Sequence, residues 1–214
     1  MVFEQIPIGG DRNFGYIIGD VGTAQAALID PAYSHDNLIE RLRGLGLVLR
    51  FIICTHSDDD HVGGNDYVKE DTGATAILHE DAPAGMADVS VKDGQELGLG
   101  NLKLRFIHTP GHTPDSMCIL AEDKIATGDT LFVGTIGGTQ SRAAAEAQFH
   151  SLHEKLMTLD DNIKVYPGHD VGLEPASTIG IEKATNPFLL QPTFEEFLHL
   201  KDHWAAYKSQ HGIK

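Results

Sequence analysis

THSDDDH, Thr55 to His61, sets two histidines and three aspartates in seven residues directly behind the apolar run RFIIC. That many ligating groups at the end of a strand point to a metal centre, in which Asp58 is the residue to explain. In an extended loop alternate residues face one side, so His56, Asp58 and Asp60 can look toward one point while Ser57 and Asp59 look away. His61 then sits at the start of a predicted helix, whose N-terminal dipole steadies a carboxylate at Asp60.

Working outward, LRFIICT is a continuous apolar run that suits a strand buried on both faces. Ahead of it, FEQIPI, FGYIIGD and QAALIDP read as antiparallel strands joined by tight turns. HDNLIERLRGLG follows them as a helix, with Leu38, Ile39, Leu42 and Leu45 on one face and Gly44 and Gly46 as stop signals. Behind the quoted stretch, DHVGGNDYVKEDTG reads as a helix opening at Asp60 or His61, and TAILHE as a short strand. The second half repeats the alternation through LKLRFIHTPGH, MCILAEDKIATGDT, a helix over RAAAEAQFHSLHEKLMTL and the strand IKVYPGHD. Strands first and helices after, twice over, predict an α/β fold with two packed sheets and helices outside, a four-layer αββα sandwich. One domain is expected over residues 1–214, with PTFEEFLHLKDHWAAYKSQHGIK, Pro192 to Lys214, as a short C-terminal amphipathic helix.

The bulk composition narrows the function. With 41% hydrophobic and 22% charged residues the chain has an ordinary globular make-up. A formal charge of -15 repels phosphate backbones and anionic lipid surfaces, so neither nucleic acid nor membrane is an expected partner. MVFEQIPIGGDRNFGY has neither the basic start nor the apolar core of a signal peptide, and no run approaches a membrane span, so a cytoplasmic location is the expectation. Cys54 and Cys118 lie inside apolar runs and read as small buried hydrophobes rather than a disulfide framework. No feature of the sequence reports oligomeric state.

Three more segments each end a strand-like run with a ligand behind a glycine: HTPGH with His112, IATGD with Asp129 and VYPGH with His169. A glycine there lets the backbone approach closely. His35, His79, His150, His153, His199, His203 and His211 stand outside this pattern and read as ordinary histidines. Four ligand sites at strand ends supply imidazoles and carboxylates enough for two adjacent divalent metals.

THSDDDH, HTPGHTPDS, ATGDTLF and VYPGHD, in this order, resemble the ligand series of the metallo-β-lactamase superfamily. The pattern HxHxDH is matched at His56, Asp60 and His61 and broken at Asp58. IPIGGDRNFGYIIGD resembles the first hairpin of that family, ALIDPA its second-strand turn, and STIGIEKATNPFL the tail of the small glyoxalase II-like hydrolases. The resemblance implies one metal on His56, residue 58 and His112, a second on Asp60, His61 and His169, and Asp129 bridging them. It also implies a water or hydroxide between the metals as nucleophile, Asp60 as the catalytic residue that holds it and moves its proton, and a small-molecule thioester such as an acyl-glutathione as substrate. The related persulfide dioxygenases, which use mononuclear iron, share most of these ligands and define the alternative activity. Nuclease branches of the superfamily are disfavoured by the acidic composition.

At position 58 two readings stand. If Asp58 ligates, a metal pair facing three carboxylates keeps one less positive charge than with histidine there. That weakens the first metal as a Lewis acid and shifts preference from zinc toward iron or manganese. The flavodiiron branch likewise puts a carboxylate at this ligand position. If the shorter aspartate fails to reach, the first position stays empty. In the loop GTIGGTQSRAAAE, Arg142 is a candidate for meeting an anionic substrate or a plain helix-start arginine, and Asp115 in HTPDS reads as a turn cap.

Overall fold

The computed structural model describes residues 1–172 and 174–211. Its first half builds one six-stranded sheet: β1 (Val2–Gly9), β2 (Asn13–Asp20), β3 (Gln25–Ile29), β4 (Val48–Ile53), β5 (Thr75–His79) and β6 (Val89–Val91), hydrogen-bonded in that order. The first three strands are antiparallel and the last three join in parallel. The second half builds another six-stranded sheet from β7 (Glu96–Leu99), β8 (Leu102–His108), β9 (Met117–Ala121), β10 (Lys124–Gly128), β13 (Lys164–Pro167) and β14 (Ser177–Thr178). A small hairpin of β11 (Leu131–Phe132) and β12 (Thr135–Ile136) leaves the end of β10.

The expected four layers follow from where the apolar side chains go. Phe14, Tyr16, Ile18, Ile29, Ile53 and Ile77 of the first sheet pack against Leu104, Phe106, Met117, Ile119 and Ala126 of the second. The outer face of the first sheet is covered by α1 (His35–Gly44) and α3 (Asn65–Thr72), through Leu38, Ile39, Leu42 and Val68. The outer face of the second receives α4 (Arg142–His150), α5 (Ile179–Thr185) and α6 (Phe194–Asp202), with Leu152, Ile179, Phe197 and Leu200 on Ile107, Cys118, Ile125 and Val165. Burial of each such large side chain stabilises the sandwich by roughly 1.5–3 kcal/mol. No helix among the described residues is long and apolar enough to cross a membrane. Both cysteines are buried and free, as the apolar runs around them imply.

Four local expectations change. The helix expected from Asp60 or His61 opens at Asp59 and is split into α2 (Asp59–Val62) and α3. Gly63 and Gly64 make the break, because the chain lies against Pro31: a Cβ on Gly64 would stand 1.9 Å from the Pro31 carbonyl oxygen. β4 is buried on both faces only at its end, since Val48 and Arg50 are exposed while Ile52, Ile53 and Cys54 are fully buried. The helix read over RAAAEAQFHSLHEKLMTL ends as α4 and continues through a π turn at Ser151–Lys155 and a 3-10 turn at Leu156–Thr158. The tail is two helices, α6 and α7 (Trp204–His211), with a break at His203 that sets Trp204 against Phe188, ring centroids 4.7 Å apart. Its last three residues, Gly212–Lys214, lie outside the described residues.

Candidate metal centre

All ligand-bearing turns leave the same edge of the sandwich. β8, β10 and β13 run in one direction, because β9 is antiparallel to both β8 and β10 while β13 is parallel to β10. Their ends release His112, Asp129 and His169, and β4 of the facing sheet releases the loop from Thr55 to Asp58. Backbone bonds tie the two sheets together there: Met117 N to Thr55 O, and Phe14 N to Gly168 O, each 2.8 Å. Gly168 has no room for a side chain, since a Cβ would fall 2.4 Å from Asp129 Oδ1 and 2.9 Å from the His61 ring.

The structure brings all seven sequence-derived residues together. His56, Asp58 and His112 place one ligand atom each within 4.8 Å of one another, as do Asp60, His61 and His169. Asp129 lies between the two trios, Oδ1 3.4 Å from His61 Nε2 and Oδ2 3.6 Å from His112 Nε2 and 3.4 Å from His169 Nε2. The Asp58 carboxylate turns toward the two imidazoles of its trio, Oδ2 standing 3.2 Å from His112 Nε2 and 3.6 Å from His56 Nε2. Asp58 occupies the cap position of α2 yet makes no capping bond, so its carboxylate is free for this contact.

Each imidazole is held by its other nitrogen. His61 Nδ1 bonds Asp30 Oδ2 at 2.9 Å, His112 Nδ1 bonds the Gly138 carbonyl at 2.8 Å, and His169 Nδ1 bonds the Asp11 carbonyl at 2.8 Å. His56 Nδ1 contacts Thr55 Oγ1 at 3.0 Å. A donated Nδ1–H leaves Nε2 with its lone pair toward the centre, which is how protein metal sites orient histidine. His56 Nε2 and Asp129 Oδ1 are buried without any hydrogen-bond partner. Polar atoms left so in a packed interior are the ones a bound cation satisfies, and imidazole with carboxylate suits zinc, iron or manganese.

Without a metal, the same imidazoles and carboxylates stabilise one another's charged forms. Burial alone raises the Asp129 carboxyl, but the His169 and His61 imidazoles beside it outweigh that and hold the group well below the usual carboxylate range. Desolvation lowers His61, and Asp30 with Asp129 more than reverse it, pushing the imidazole well above its ordinary value. The His56 imidazole beside it leads the causes that hold Asp58 below its ordinary value, with His112 adding to it.

Several supporting residues were not singled out from the sequence. Asp30, 1% exposed, accepts from the Thr55 amide and hydroxyl, each at 2.7 Å, as well as from His61. Asn13, also 1% exposed, donates to Asp60. Their sequence signals, an aspartate before proline in ALIDPA and an asparagine in a hairpin, are those of ordinary turn residues. A further cluster, His79, Asp81 and His108, lies apart from the centre. Its two rings stack at 3.7 Å and His108 Nε2 bonds the Pro114 carbonyl, so the parallel rings do not aim at a common point.

Beside the centre a cleft of about 540 Å³ is lined by Gly137 to Arg142, Phe188, Lys201 and Trp204. Lys201 Nζ donates to Gln148 Oε1 at 2.7 Å and to the Gly137 carbonyl at 3.2 Å, and burial pushes it down to about 8. Arg142 is already paired with Glu195 of α6, and its guanidinium lies 5.0 Å from the Phe194 ring centroid.

The chain matches, over residues 8–169, the family described as the metallo-beta-lactamase superfamily. It is 31% identical over 201 residues to the mitochondrial persulfide dioxygenase ETHE1 of Bos taurus, covering 92% of this chain and 79% of the relative. It is 32% identical over 213 residues to the hydroxyacylglutathione hydrolase GloC of Haemophilus influenzae, covering 88% of this chain and 98% of the relative. Among solved structures, ETHE1 from Myxococcus xanthus is 34% identical and superposes with a TM-score of 0.89, covering 95% of this chain and 91% of that one.

Proposed function

The chain belongs to the metallo-β-lactamase superfamily, and on that footing we propose that it is a metal-dependent hydrolase cleaving a thioester such as an acyl-glutathione. One observation carries the proposal: four imidazoles with locked Nδ1 atoms and three carboxylates converge in two trios joined by Asp129. When bound there, a divalent pair lowers the pKa of water to near neutrality and polarises a carbonyl oxygen.

The protein's own residues supply the rest. Asp60 is partly exposed and held by Asn13, so its carboxylate faces solvent in a fixed orientation and is placed to hold a water and move its proton. Lys201 makes no ion pair among the described residues and brings a cation to the neighbouring cleft, where Asp202 also lies and Trp204 and Phe188 supply apolar walls. That combination suits an anionic small molecule with an apolar stem, and the similarity to GloC favours a glutathione thioester. Asp58 as a ligand favours iron or manganese over zinc in the first trio.

The similarity to ETHE1 supports a second reading, an iron-dependent dioxygenase acting on a persulfide. Two assays on metal-reconstituted protein separate them: thiol release from an acyl-glutathione, and oxygen uptake with glutathione persulfide. Thiol release without oxygen uptake is the expected result; oxygen uptake without thiol release would replace the hydrolase by the dioxygenase.

A further inference from the structure

The turn between β1 and β2 lies across the second trio. His169 Nδ1 bonds the Asp11 carbonyl at 2.8 Å, Asp170 N bonds the Arg12 carbonyl at 2.9 Å, and Asn13 forms an isolated β-bridge with His169. From this turn the Asn13 side chain points inward. Its Nδ2 donates to Asp60 Oδ2 at 3.0 Å and to the Asp60 carbonyl at 3.1 Å, and lies 3.4 Å from His169 Nε2.

The amide cannot be turned around. Reversed, its oxygen would face both Asp60 oxygens, three acceptors with no donor among them. In the observed orientation Asn13 Oδ1 is buried without a partner. An apolar residue of the same volume would fill the position without an orphaned acceptor. What asparagine adds is the double grip on Asp60.

The geometry points to Asn13 as a positioning residue for the second metal: it fixes the Asp60 carboxylate against His169 before any metal arrives. This rests on the reading that Asp60, His61 and His169 hold that metal. Asn13 does not ligate and does not touch the substrate; it acts through Asp60. Loss of a hydrogen-bond partner of this kind weakens metal binding by about 10–100-fold.

The test compares wild type with Asn13→Leu, which keeps the branching and the number of side-chain heavy atoms and removes the donor. Cobalt(II) and zinc are titrated into metal-free protein against a chromophoric chelator, with no substrate present, and thermal unfolding of the metal-free proteins is recorded alongside. The expected result is one equivalent weakened about 10–100-fold, the other unchanged, and no fall in Tm of the metal-free variant. Unchanged affinities, or both equivalents weakened together with a lower Tm, would overturn the positioning role. A wild type binding a single equivalent would overturn the two-metal reading, and the response of that equivalent to Asn13→Leu would still decide the role of Asn13. Asn13→Ser, with a shorter donor, should recover part of the lost affinity.

Discussion

At Asp58 a carboxylate stands where an imidazole completes the usual pattern, 3.2 Å from His112 Nε2 and 3.6 Å from His56 Nε2. Restoring the imidazole with Asp58→His removes one negative charge from the centre and should shift bound metal from iron or manganese toward zinc, measured as metal identity after growth in mixed-metal medium. Behind the ligands, Asp30 holds His61 and the Thr55 amide at once. Asp30→Asn keeps the shape and the tolerance for the positive φ of 51° at this position but removes the charge. It should lower metal affinity by about 10–100-fold, read from chelator competition. The ligands themselves were legible because each follows an apolar run and a glycine. Asp30 and Asn13 were not, because a turn aspartate and a hairpin asparagine look the same whether or not they reach a distant side chain. Asp115, read as a turn cap, is 2% exposed and its Oδ2 is buried without a partner.

Between elements, the decisive join is the double glycine after α2. It lets the chain that carries Asp60 and His61 pass against Pro31 before α3 begins. Gly64→Ala would drive a methyl group into a backbone carbonyl, which cannot rotate away. The expected outcome is a loss of about 1–3 kcal/mol or more in denaturant unfolding, with weaker metal binding in step; an unchanged midpoint would contradict the account of this join. The long strands and α1 were readable because their apolar residues recur with the period of the element. β6, β11, β12 and β14 span two or three residues, too few to show any period. In sequence the tail reads as one helix because Phe197, Leu200, Trp204 and Tyr207 keep helical spacing across His203, where a local bend at φ -113° and ψ 15° interrupts the turn.

Taken whole, the molecule carries a net charge of -15 yet keeps a lysine without an ion pair among the described residues at the cleft beside its most ligand-rich corner, with Asp202 acting on it only at longer range. Because burial lowers Lys201 to about 8, the amine is charged below that pH and neutral above it. KM for an anionic thioester should therefore rise as pH passes upward through about 8, while KM for an uncharged thioester stays flat, and Lys201→Met should abolish the difference. The αββα architecture was legible from the order of strands and helices, whereas the cleft was not, because it forms between the loop after Asp129 and the C-terminal helices, segments distant in sequence. The central claim is that two trios, one completed by Asp58, hold two metals. It is tested most directly by mass-spectrometric metal content of wild type and Asp58→Ala, purified side by side from metal-supplemented medium. About two metal ions per chain in wild type and about one in Asp58→Ala is the predicted result. Equal contents in the two proteins would contradict it.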